Sequence, residues 1–356
     1  MGNSTGHTFR ITTFGESHGP ALGVTIDGMP ADFPIDLDLI QADLRRRRPG
    51  QSSISTTRQE QDQVEILSGV FEGKTTGTAL TLLIRNQDAK SRHYKSVQSL
   101  YRPGHGDYSY QMRYGIRDWR GGGRASARET VARVAAAAIA RQWLQARYQI
   151  EIIGWVSQVG SIQSDFPSDQ VTTDLVEATV VRCPDPKTAE HMIEFIKQTK
   201  KQGDTIGGVV SAVARHVPAG WGSPVFDKLE ADLAKACLSL PACKGFEIGS
   251  GFAGVRMKGS EHNDTWSAPH QWASNHAGGV LAGISNGAPI EIRCAFKPVS
   301  THFKPQTTMN YKEQMVSFQN QGRHDPCVVA RAVPLVEAAM LLTLMDHALR
   351  GMSVRG

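Results

Sequence analysis

The sequence lacks several features that would assign it quickly to a class of proteins. Its 356 residues include only five cysteines, an odd number with no CxxC pair, so we expect reduced thiols and no disulfide framework. No segment approaches 18 uninterrupted apolar residues, and the N-terminus has no apolar stretch of the kind found in signal peptides. We therefore expect a cytoplasmic protein without a membrane partner.

An excess of charge of one sign is also missing. The 39 basic and 34 acidic side chains leave a formal net charge of +5, short of the strong excess typical of general nucleic-acid binders. One alternative stays open, because tyrosines that stack on bases also lie in the basic stretch 87–123: Tyr94, Tyr101, Tyr108, Tyr110 and Tyr114. The prediction from composition is nevertheless a protein without a nucleic-acid partner.

Complete nucleotide and metal motifs are absent as well. Residues 69–75 resemble a phosphate loop but are one residue short of G-x-x-x-x-G-K-[ST]. Residues 249–254 satisfy G-x-G-x-x-G, yet no helical pattern follows them, as a dinucleotide site requires. The twelve histidines include neither HExxH nor zinc-finger spacing. We predict no metal; the spacings leave open only a metal site assembled from distant loops.

Helical and strand patterns alternate along the chain. Predicted strands are Gly23–Gly28, Gln63–Phe71, Ala79–Asn86 and Gly208–Val217, and Asn286-Gly287 predicts a hairpin between Gly278–Ser285 and Ile290–Phe296. Predicted helices are Asp36–Arg48, Ser126–Arg147, Pro186–Gln202, Val225–Cys237 and Pro334–Arg350. Since the strands do not recur as βαβ units, we predict an α+β fold forming one domain over residues 1–356. Residues 17–24 and 275–280 look faintly alike, which suggests an internal duplication.

Two histidines lie in glycine-rich loops beside charged residues. His18 stands in Phe14-Gly15-Glu16-Ser17-His18-Gly19, and His105 in Arg102-Pro103-Gly104-His105-Gly106-Asp107. A lone histidine is more often a structural hydrogen-bonding residue than a catalyst. Loop histidines of this kind also suit acid–base chemistry, so both interpretations stay open.

Arginines and helix starts form a second pattern. Four arginines end the helix predicted at residue 48, where the helix dipole alone would favour them, and six more lie between 113 and 133. Gly121-Gly122-Gly123-Arg124-Ala125-Ser126 leads into a helix and is typical of an anion site. Gly322-Arg323-His324-Asp325 precedes the last helix and is as compatible with a salt-bridged turn as with catalysis. The set favours recognition of phosphate and carboxylate groups.

In family order, these motifs resemble those of chorismate synthase. The resemblance runs from Phe9 to Arg350 and rests on seven motifs: Arg10–Gly19, Arg46–Ser52, Arg102–His105, Asp118–Thr130, Gly278–Gly287, Lys297-Pro298 and Gly322–Val328. It implies a β-α-β sandwich, with a helical core between antiparallel sheets, and a homotetramer.

The resemblance also implies an activity. It is the 1,4-elimination of phosphate from 5-enolpyruvylshikimate 3-phosphate to give chorismate, the last common step of the shikimate pathway to aromatic compounds. Family members use reduced FMN without net redox change, the flavin lending electron density as phosphate leaves. No NAD(P)H fingerprint is visible, so we expect an external, NADPH-linked reductant, for example a separate flavin reductase.

Residue roles follow from the same resemblance. His18 would act as acid toward the departing phosphate, His105 would stabilise the reduced flavin, and Asp325 would help to take the C6 proton, with Ser17 and Ser126 relaying hydrogen bonds. Substrate would contact five arginines: Arg10, Arg47, Arg48, Arg128 and Arg323. FMN would contact Arg124, Ala125, Ser126, Pro241, Ala242, Gly279, Gly283, Lys297, Pro298, Val299, Ser300, Thr301 and Arg323.

Two positions depart from the family pattern. Ser53 stands where a basic residue is usual, so a substrate or nucleotide contact is missing unless Arg58 supplies it. Pro241 stands where relatives often have Asn, in a flavin contact.

Overall fold

Strands with alternating buried side chains form two antiparallel sheets in the computed structural model, which describes residues 2–50, 54, 60–87, 97–320 and 325–352. Leu22, Val24 and Ile26 are fully buried along one strand, as the period of two of a half-buried strand requires. Seven positions named above lie outside the described residues: Ser52, Ser53, Arg58, Tyr94, Gly322, Arg323 and His324.

The first sheet has five strands in the order β1-β2-β3-β7-β4, and a small hairpin interrupts it. These elements are β1 (Ser4–Thr5), β2 (Arg10–Gly15), β3 (Ala21–Asp27), β4 (Val64–Ser68), the hairpin strands β5 (Val70–Phe71) and β6 (Lys74–Thr75), and β7 (Leu80–Arg85).

The second sheet also has five strands, in the order β9-β8-β10-β16-β11. They are β8 (Glu151–Val159), β9 (Ile162–Gln163), β10 (Gly208–Arg215), β11 (Cys243–Ile248) and β16 (Ile290–Phe296). Two-stranded ladders are formed by β12 (Trp266–Ala268) with β13 (Gln271–Trp272), β14 (Val280–Leu281) with β15 (Ile284–Ser285), and β17 (Gln306–Met309) with β18 (Met315–Phe318).

Long helices fill the space between the sheets. The helices are α1 (Leu37–Arg47), α2 (Asp107–Tyr114), α3 (Thr130–Tyr148), α4 (Thr173–Glu177), α5 (Pro186–Lys201), α6 (Leu229–Leu238), α7 (Gly259–His262) and α8 (Val329–Met352). α3 packs on β3 and β7, α8 packs on β8 and β10, and the two helices contact each other. Buried alanines from Ala135 to Ala138 allow the close approach. The predicted α+β sandwich with a helical core is confirmed.

α8 is long and apolar enough to cross a membrane by length and composition, but its apolar window is entirely buried inside the protein. It also begins five residues earlier than predicted, at Val329 rather than Pro334. A proline within a helix has no N–H group that could donate a hydrogen bond to the carbonyl four residues before it. Here that carbonyl, of Ala330, accepts a hydrogen bond of 2.7 Å from Arg182 Nη1 instead. The arginine therefore supplies the missing donor.

Three other local predictions need correction. β16 pairs with β10 and β11, while β14 pairs with β15, so the hairpin turns at Ala282-Gly283 and not at Asn286-Gly287. The stretch 87–123 has little periodicity and is predicted to be a loop, but it contains α2. Ser126-Ala127-Arg128-Glu129 has the form of a capping box. Ser126 does cap the 3₁₀ turn that leads into α3, but Glu129 binds Thr13 and Arg133 and does not complete the box.

An internal duplication is present, although between segments other than those compared above. The strand order β2-β3-β7-β4 matches β8-β10-β16-β11, with α1 and α6 in equivalent positions and α3 and α8 ending each half. Gly69-Val70…Gly73…Gly77 in the first half corresponds to Gly279-Val280…Gly283…Gly287 in the second.

Hydrogen bonds repeat with the sequence pattern. Thr75 Oγ1 donates to Pro30 O at 2.6 Å and accepts from Phe33 N at 3.0 Å. In the second half, Ser285 Oγ donates to Pro218 O at 2.6 Å and accepts from Trp221 N at 2.9 Å. One buried hydroxyl thus fixes each hairpin to the segment before α1 or α6.

Candidate active site

His18 lies in the turn between β2 and β3. The buried Ser17 Oγ is 2.9 Å from His18 Nδ1. The turn is held by Asn86, whose Nδ2 donates to Glu16 O at 2.9 Å and to Gly19 O at 2.7 Å. A β-carbon at Gly121 would lie 2.1 Å from His18 Nδ1, so only glycine fits there. The glycine-rich segment before α3 is therefore packed directly against the imidazole.

Two predicted substrate arginines share one buried carboxylate. Arg47 Nη1 donates to Asp62 Oδ2 at 2.8 Å, and Arg128 Nη1 donates to Asp62 Oδ1. Burial, with the charges of Arg331 and Arg128, lowers the pKa of Arg47 to about 10 although Asp62 opposes the shift. Binding of an additional anion within reach would stabilise the charged form of a guanidinium whose pKa is lowered in this way.

Arg128 connects this cluster to the histidine turn. Its Nε donates to Asn86 Oδ1 at 3.0 Å, and its Nη2 donates to Glu60 Oε2 at 3.4 Å. Asn86 in turn holds the backbone on both sides of Ser17 and His18. His18 and Arg128 are thus linked through one asparagine.

Asp325 lies at the start of α8 and is only 8% exposed. Its carboxylate accepts a hydrogen bond from Arg331 Nη1. Because Arg331 also acts on the pKa of Arg47, the Asp325 pair borders the arginine cluster. The salt-bridged turn and the catalytic interpretation of this motif are thus both compatible with its contacts.

A clamp of charges shapes the loop that carries His105. Arg102 holds Asp107 through Nε at 2.7 Å and Nη2 at 2.8 Å, and Arg117 Nη1 is 2.7 Å from the same carboxylate. Burial would raise the pKa of Asp107, but the hydrogen bonds and charge of Arg102, with Arg117, hold it at about 2. The Asp107 carboxylate therefore stays charged, and can pair with Arg102 and Arg117, at all but strongly acidic pH.

His105 is oriented through both ring nitrogens. Nδ1 lies 2.9 Å from Pro103 O, a carbonyl that only accepts, so Nδ1 carries the proton. Nε2 lies 3.1 Å from Thr301 Oγ1. Burial, and next the charge of Arg102, lower the pKa of His105. The lowered pKa favours the neutral imidazole, and with Nδ1 donating, Nε2 is the accepting nitrogen, which Thr301 Oγ1 contacts.

Most predicted flavin contacts after β16 meet the His105 loop. Lys297 Nζ donates to Gly104 O at 3.1 Å and to Ser300 Oγ at 2.7 Å. Lys297 N donates to Ala242 O at 3.0 Å, which brings the Pro241-Ala242 turn to the same place. Val299 O accepts from Thr205 Oγ1 at 2.7 Å, and Pro298 N lies close to Gly207.

α2 connects the two histidine loops. Burial, followed by Tyr114, raises the pKa of Tyr110, and the charges of Arg124 and Glu16 also act on it. Glu16 belongs to the turn of His18 and Arg124 to the segment before α3, so the charges of both segments influence Tyr110 of α2.

Other predicted residues lie elsewhere or are already occupied. Arg124 holds the end of β2 through Thr13 O at 3.0 Å and Gly15 O at 3.1 Å, and Arg48 is exposed. Arg10 begins β2, about 20 Å from its other end by the rise of a strand. Gly279 and Gly283 lie in the β14–β15 hairpin near Pro289, whereas Lys297 follows the opposite end of β16.

Comparisons with known proteins agree with this geometry. A family model described as chorismate synthase matches residues 9–349. Chorismate synthase of Acaryochloris marina is 54% identical over 354 residues, covering 98% of this chain and 97% of that protein. The one of Trichormus variabilis is 53% identical and covers 98% of each chain. A crystal structure of chorismate synthase has a TM-score of 0.75 at 31% identity, covering 97% of this chain and 93% of the other.

The chain belongs to the chorismate synthase family. It is an enzyme of that family and of the shikimate pathway, as the motifs indicated.

Four residues of the candidate site were missed by sequence reasoning: Glu60, Asp62, Asn86 and Arg331. Glu60 and Asp62 precede β4 and Asn86 follows β7, none of them in a motif, and Arg331 is hidden in an apolar helix. Asp62 does offer one signal, since an acid shortly after an arginine-rich helix end is a plausible partner for it.

The residues around His105 fit a flavin phosphate. Lys297 supplies an ammonium group, Ser300 and Thr301 supply hydroxyls, and all three converge on Gly104-His105. Gly104 has φ +68°, and a β-carbon on it would lie 2.7 Å from Ser300 Oγ. The backbone thus approaches a cationic and hydroxyl-rich cradle as closely as it can, which suits a bound phosphate.

Proposed function

We propose that this chain converts 5-enolpyruvylshikimate 3-phosphate to chorismate and phosphate by a 1,4-elimination, with reduced FMN bound beside the substrate and no net redox change. The observation that carries the proposal is the buried cluster of Arg47, Arg128 and Asp62, which Asn86 links to the turn of His18. The substrate has one phosphate and two carboxylates, and anions of that density enter a protein only where cations are buried to pair with them.

His18 is proposed as the acid for the departing phosphate. Its Nδ1 is paired with the buried Ser17 Oγ at 2.9 Å, which supports a fixed orientation of the ring. The imidazole rests on Gly121, so the amides of the glycine-rich segment and the start of α3 lie beside the same phosphate position. As the C–O bond breaks, the phosphate takes the bonding electron pair and His18 offsets the new charge.

Asp325 is proposed to receive the proton from C6. The proton and the phosphate leave from opposite ends of the allylic system, and a new double bond forms between them. A carboxylate is charged at neutral pH and accepts a proton without rearrangement. Its ion pair with Arg331 supports a fixed orientation.

Reduced FMN, when bound, supplies electron density to the substrate and recovers it within the same turnover. Lys297, Ser300 and Thr301 are proposed to hold its phosphate, with Ala125, Ser126, Pro241 and Ala242 along its ring system. His105 accepts or shares a proton at Nε2 there, because Nδ1–H is committed to Pro103 O. The reductant is proposed to be external and NADPH-linked.

The working assembly is proposed to be a cytoplasmic homotetramer. Large apolar side chains are strongly exposed in the second half, among them Phe226 at 92%, Val255 at 82% and Phe252 at 76%. Apolar groups this exposed are typical of a surface that another chain covers. A monomer in solution at micromolar concentration would contradict this part of the proposal.

The deciding test is an anaerobic assay that follows chorismate and inorganic phosphate together. Pre-reduced FMN should give both products in a 1:1 ratio, and oxidised FMN without reductant should give neither. EDTA should not change the rate, which separates the reaction from that of a metal-dependent phosphatase. Phosphate release without chorismate would overturn the proposal.

A further inference from the structure

Arg331 is the third residue of α8, and neither the sequence motifs nor the family resemblance assigned it a role. Its Nη1 donates to the carboxylate of Asp325, six residues earlier. Among the described residues its Nε is buried without a hydrogen-bond partner. Buried guanidinium nitrogens usually all have hydrogen-bond partners. The position of Arg331 is therefore not explained by the hydrogen bonding of its own nitrogens.

The internal duplication shows what is special about this contact. Val131-Ala132-Arg133 in α3 corresponds to Val329-Ala330-Arg331 in α8, and Ser126 and Asp325 stand before the two helices. Arg133 binds Glu129, the residue just before α3, at 2.9 Å, and Ser239 at 2.6 Å. Arg331 reaches back six residues to Asp325, which lies four residues before α8. Each arginine therefore holds an acid that precedes its helix, and in the second half that acid is the predicted catalytic residue.

The surroundings of the pair restrict its motion. Asp325 and Arg331 have side chains that are only 9% and 21% exposed. The pair acts on two buried neighbours: burial, with the charge of Asp325, raises the pKa of the Cys327 thiol, and burial, with the charge of Arg331, lowers the pKa of Arg47. Ile206 N donates to Pro326 O at 2.9 Å and fixes the backbone beside Asp325.

We propose that Arg331 is a positioning residue for the elimination, which fixes the Asp325 carboxylate toward the C6–H bond through its ion pair. The inference rests on the proposed role of Asp325. It adds that the second half of the duplication provides the arginine for this carboxylate. A carboxylate displaced by about 1 Å loses on the order of 10²-fold in rate, which sets the scale of the effect.

The test compares Arg331→Met, Arg331→Lys, Asp325→Asn and the double variant Asp325→Asn/Arg331→Met, using reduced FMN and substrate with hydrogen or deuterium at C6. Arg331→Met should lower kcat about 10- to 100-fold and change KM less than about threefold. The deuterium isotope effect on kcat should increase. Arg331→Lys should recover part of kcat, because it keeps the charge but loses the fork.

Arg350→Met is the matched control. Arg350 lies at the other end of α8 and also pairs with an aspartate, Asp227, at 2.7 Å. The kcat and the isotope effect of Arg350→Met should match those of the unmodified enzyme. Thermal unfolding and FMN binding should be measured for every variant.

The double variant decides whether Arg331 acts through Asp325. We expect it to be no slower than Asp325→Asn alone, since the arginine would have nothing left to orient. Multiplicative losses, or an Arg331→Met effect confined to KM, would overturn the inference while leaving the proposed function intact. An Asp325→Asn enzyme with unchanged kcat and isotope effect would overturn both. If Arg331→Met does not fold, normal kcat and isotope effect in Arg331→Lys overturn the inference.

Discussion

The two halves of the duplication share a frame but differ at their helix ends. In both halves a buried hydroxyl, Thr75 or Ser285, fixes a hairpin through bonds of the same kind and length. In contrast, α1 ends in four arginines, with Arg47 buried on Asp62, while α6 ends in Leu238-Ser239. The sheets and hairpins thus provide the scaffold common to both halves. The arginines proposed to bind anions lie only where particular helices end.

A second difference lies inside the helical layer. Ile139 in α3 is fully buried among apolar side chains, whereas its equivalent in α8 is Glu337. That carboxylate accepts from Arg46 of α1 at 2.6 Å, from Arg141 of α3 at 3.0 Å and from Gly154 N at 3.0 Å. One acid thus joins helices of both halves to the second sheet.

Glu337→Gln should break this connection and give the largest loss of stability. Removing the charge takes away the buried acid that Arg46 and Arg141 share, although Arg46 keeps Glu177 and Arg141 keeps Asp43, so the free energy of unfolding should fall by about 3 kcal/mol. Urea unfolding at pH 7 measures the change. Glu190→Gln, at an exposed position of α5, is the control and should cost less than about 0.5 kcal/mol. Equal midpoints for the two variants would contradict the prediction.

The same substitution has a pH signature. Burial would raise the pKa of Glu337, but Arg46 and Arg141 hold it at about 2, below the ordinary value of 4.5. A group with a depressed pKa stabilises the fold above its ordinary pKa and loses that contribution as pH falls toward its folded pKa. The gap between the unmodified enzyme and Glu337→Gln should therefore narrow from about pH 4.5 down to 2.

His18→Ala and His105→Ala test whether catalysis depends on the loops of the first half. Each should lower turnover about 10²-fold or more, as expected for lost proton-transfer groups, while FMN still binds. His276→Ala is the control, because His276 lies before the second-half hairpin and bonds through its backbone to Asp264 at 2.7 Å. Near-normal turnover in both loop variants would remove them from the mechanism.

Thr75→Val and Ser285→Ala sharpen the comparison of the two frames. Each leaves a buried Pro carbonyl and a backbone N–H without the hydroxyl, and each should cost about 1–2 kcal/mol. Chemical denaturation of both single variants and of the double variant measures the costs. Additive losses of similar size support two independent copies of one device, whereas a neutral variant in either half would refute the equivalence.

Local rules explain which parts of this fold were predictable. α1 has its N-cap at Asp36, whose side chain accepts from Asp38 N at 2.8 Å, and the strand β16 alternates as its residues require. Tertiary contacts decided the rest. The early start of α8 depends on Arg182, which is 148 residues away in sequence, and no local pattern reveals such a donor.

The residues of the candidate site also divide into those that local patterns indicate and those that only tertiary contacts reveal. His18 and His105 were predicted because glycines and charges stand beside them, whereas Lys297 was predicted from the family resemblance alone. Asp62 and Arg331 were missed because each acts through a partner on another element, Arg128 and Asp325 respectively. Charge pairing across elements is invisible until the fold brings the elements together.

Gly73→Ala and Gly283→Ala give the finest test of the duplication, because both glycines have positive φ, +78° and +86°. A β-carbon at Gly73 meets nothing within 4 Å. Gly73→Ala should therefore lower the free energy of unfolding only by the cost of a left-handed backbone at alanine, about 1 kcal/mol. At Gly283 a β-carbon would lie 2.6 Å from Lys228 Cγ, so Lys228 must also move and the loss should be larger. Combining Gly283→Ala with Lys228→Ala should remove most of that excess, because only the β-carbon of residue 228, 3.0 Å away, and its Cα, 3.3 Å away, remain close. A double variant no more stable than Gly283→Ala would show instead that the backbone of the second hairpin, and not its neighbour, sets the difference between the halves.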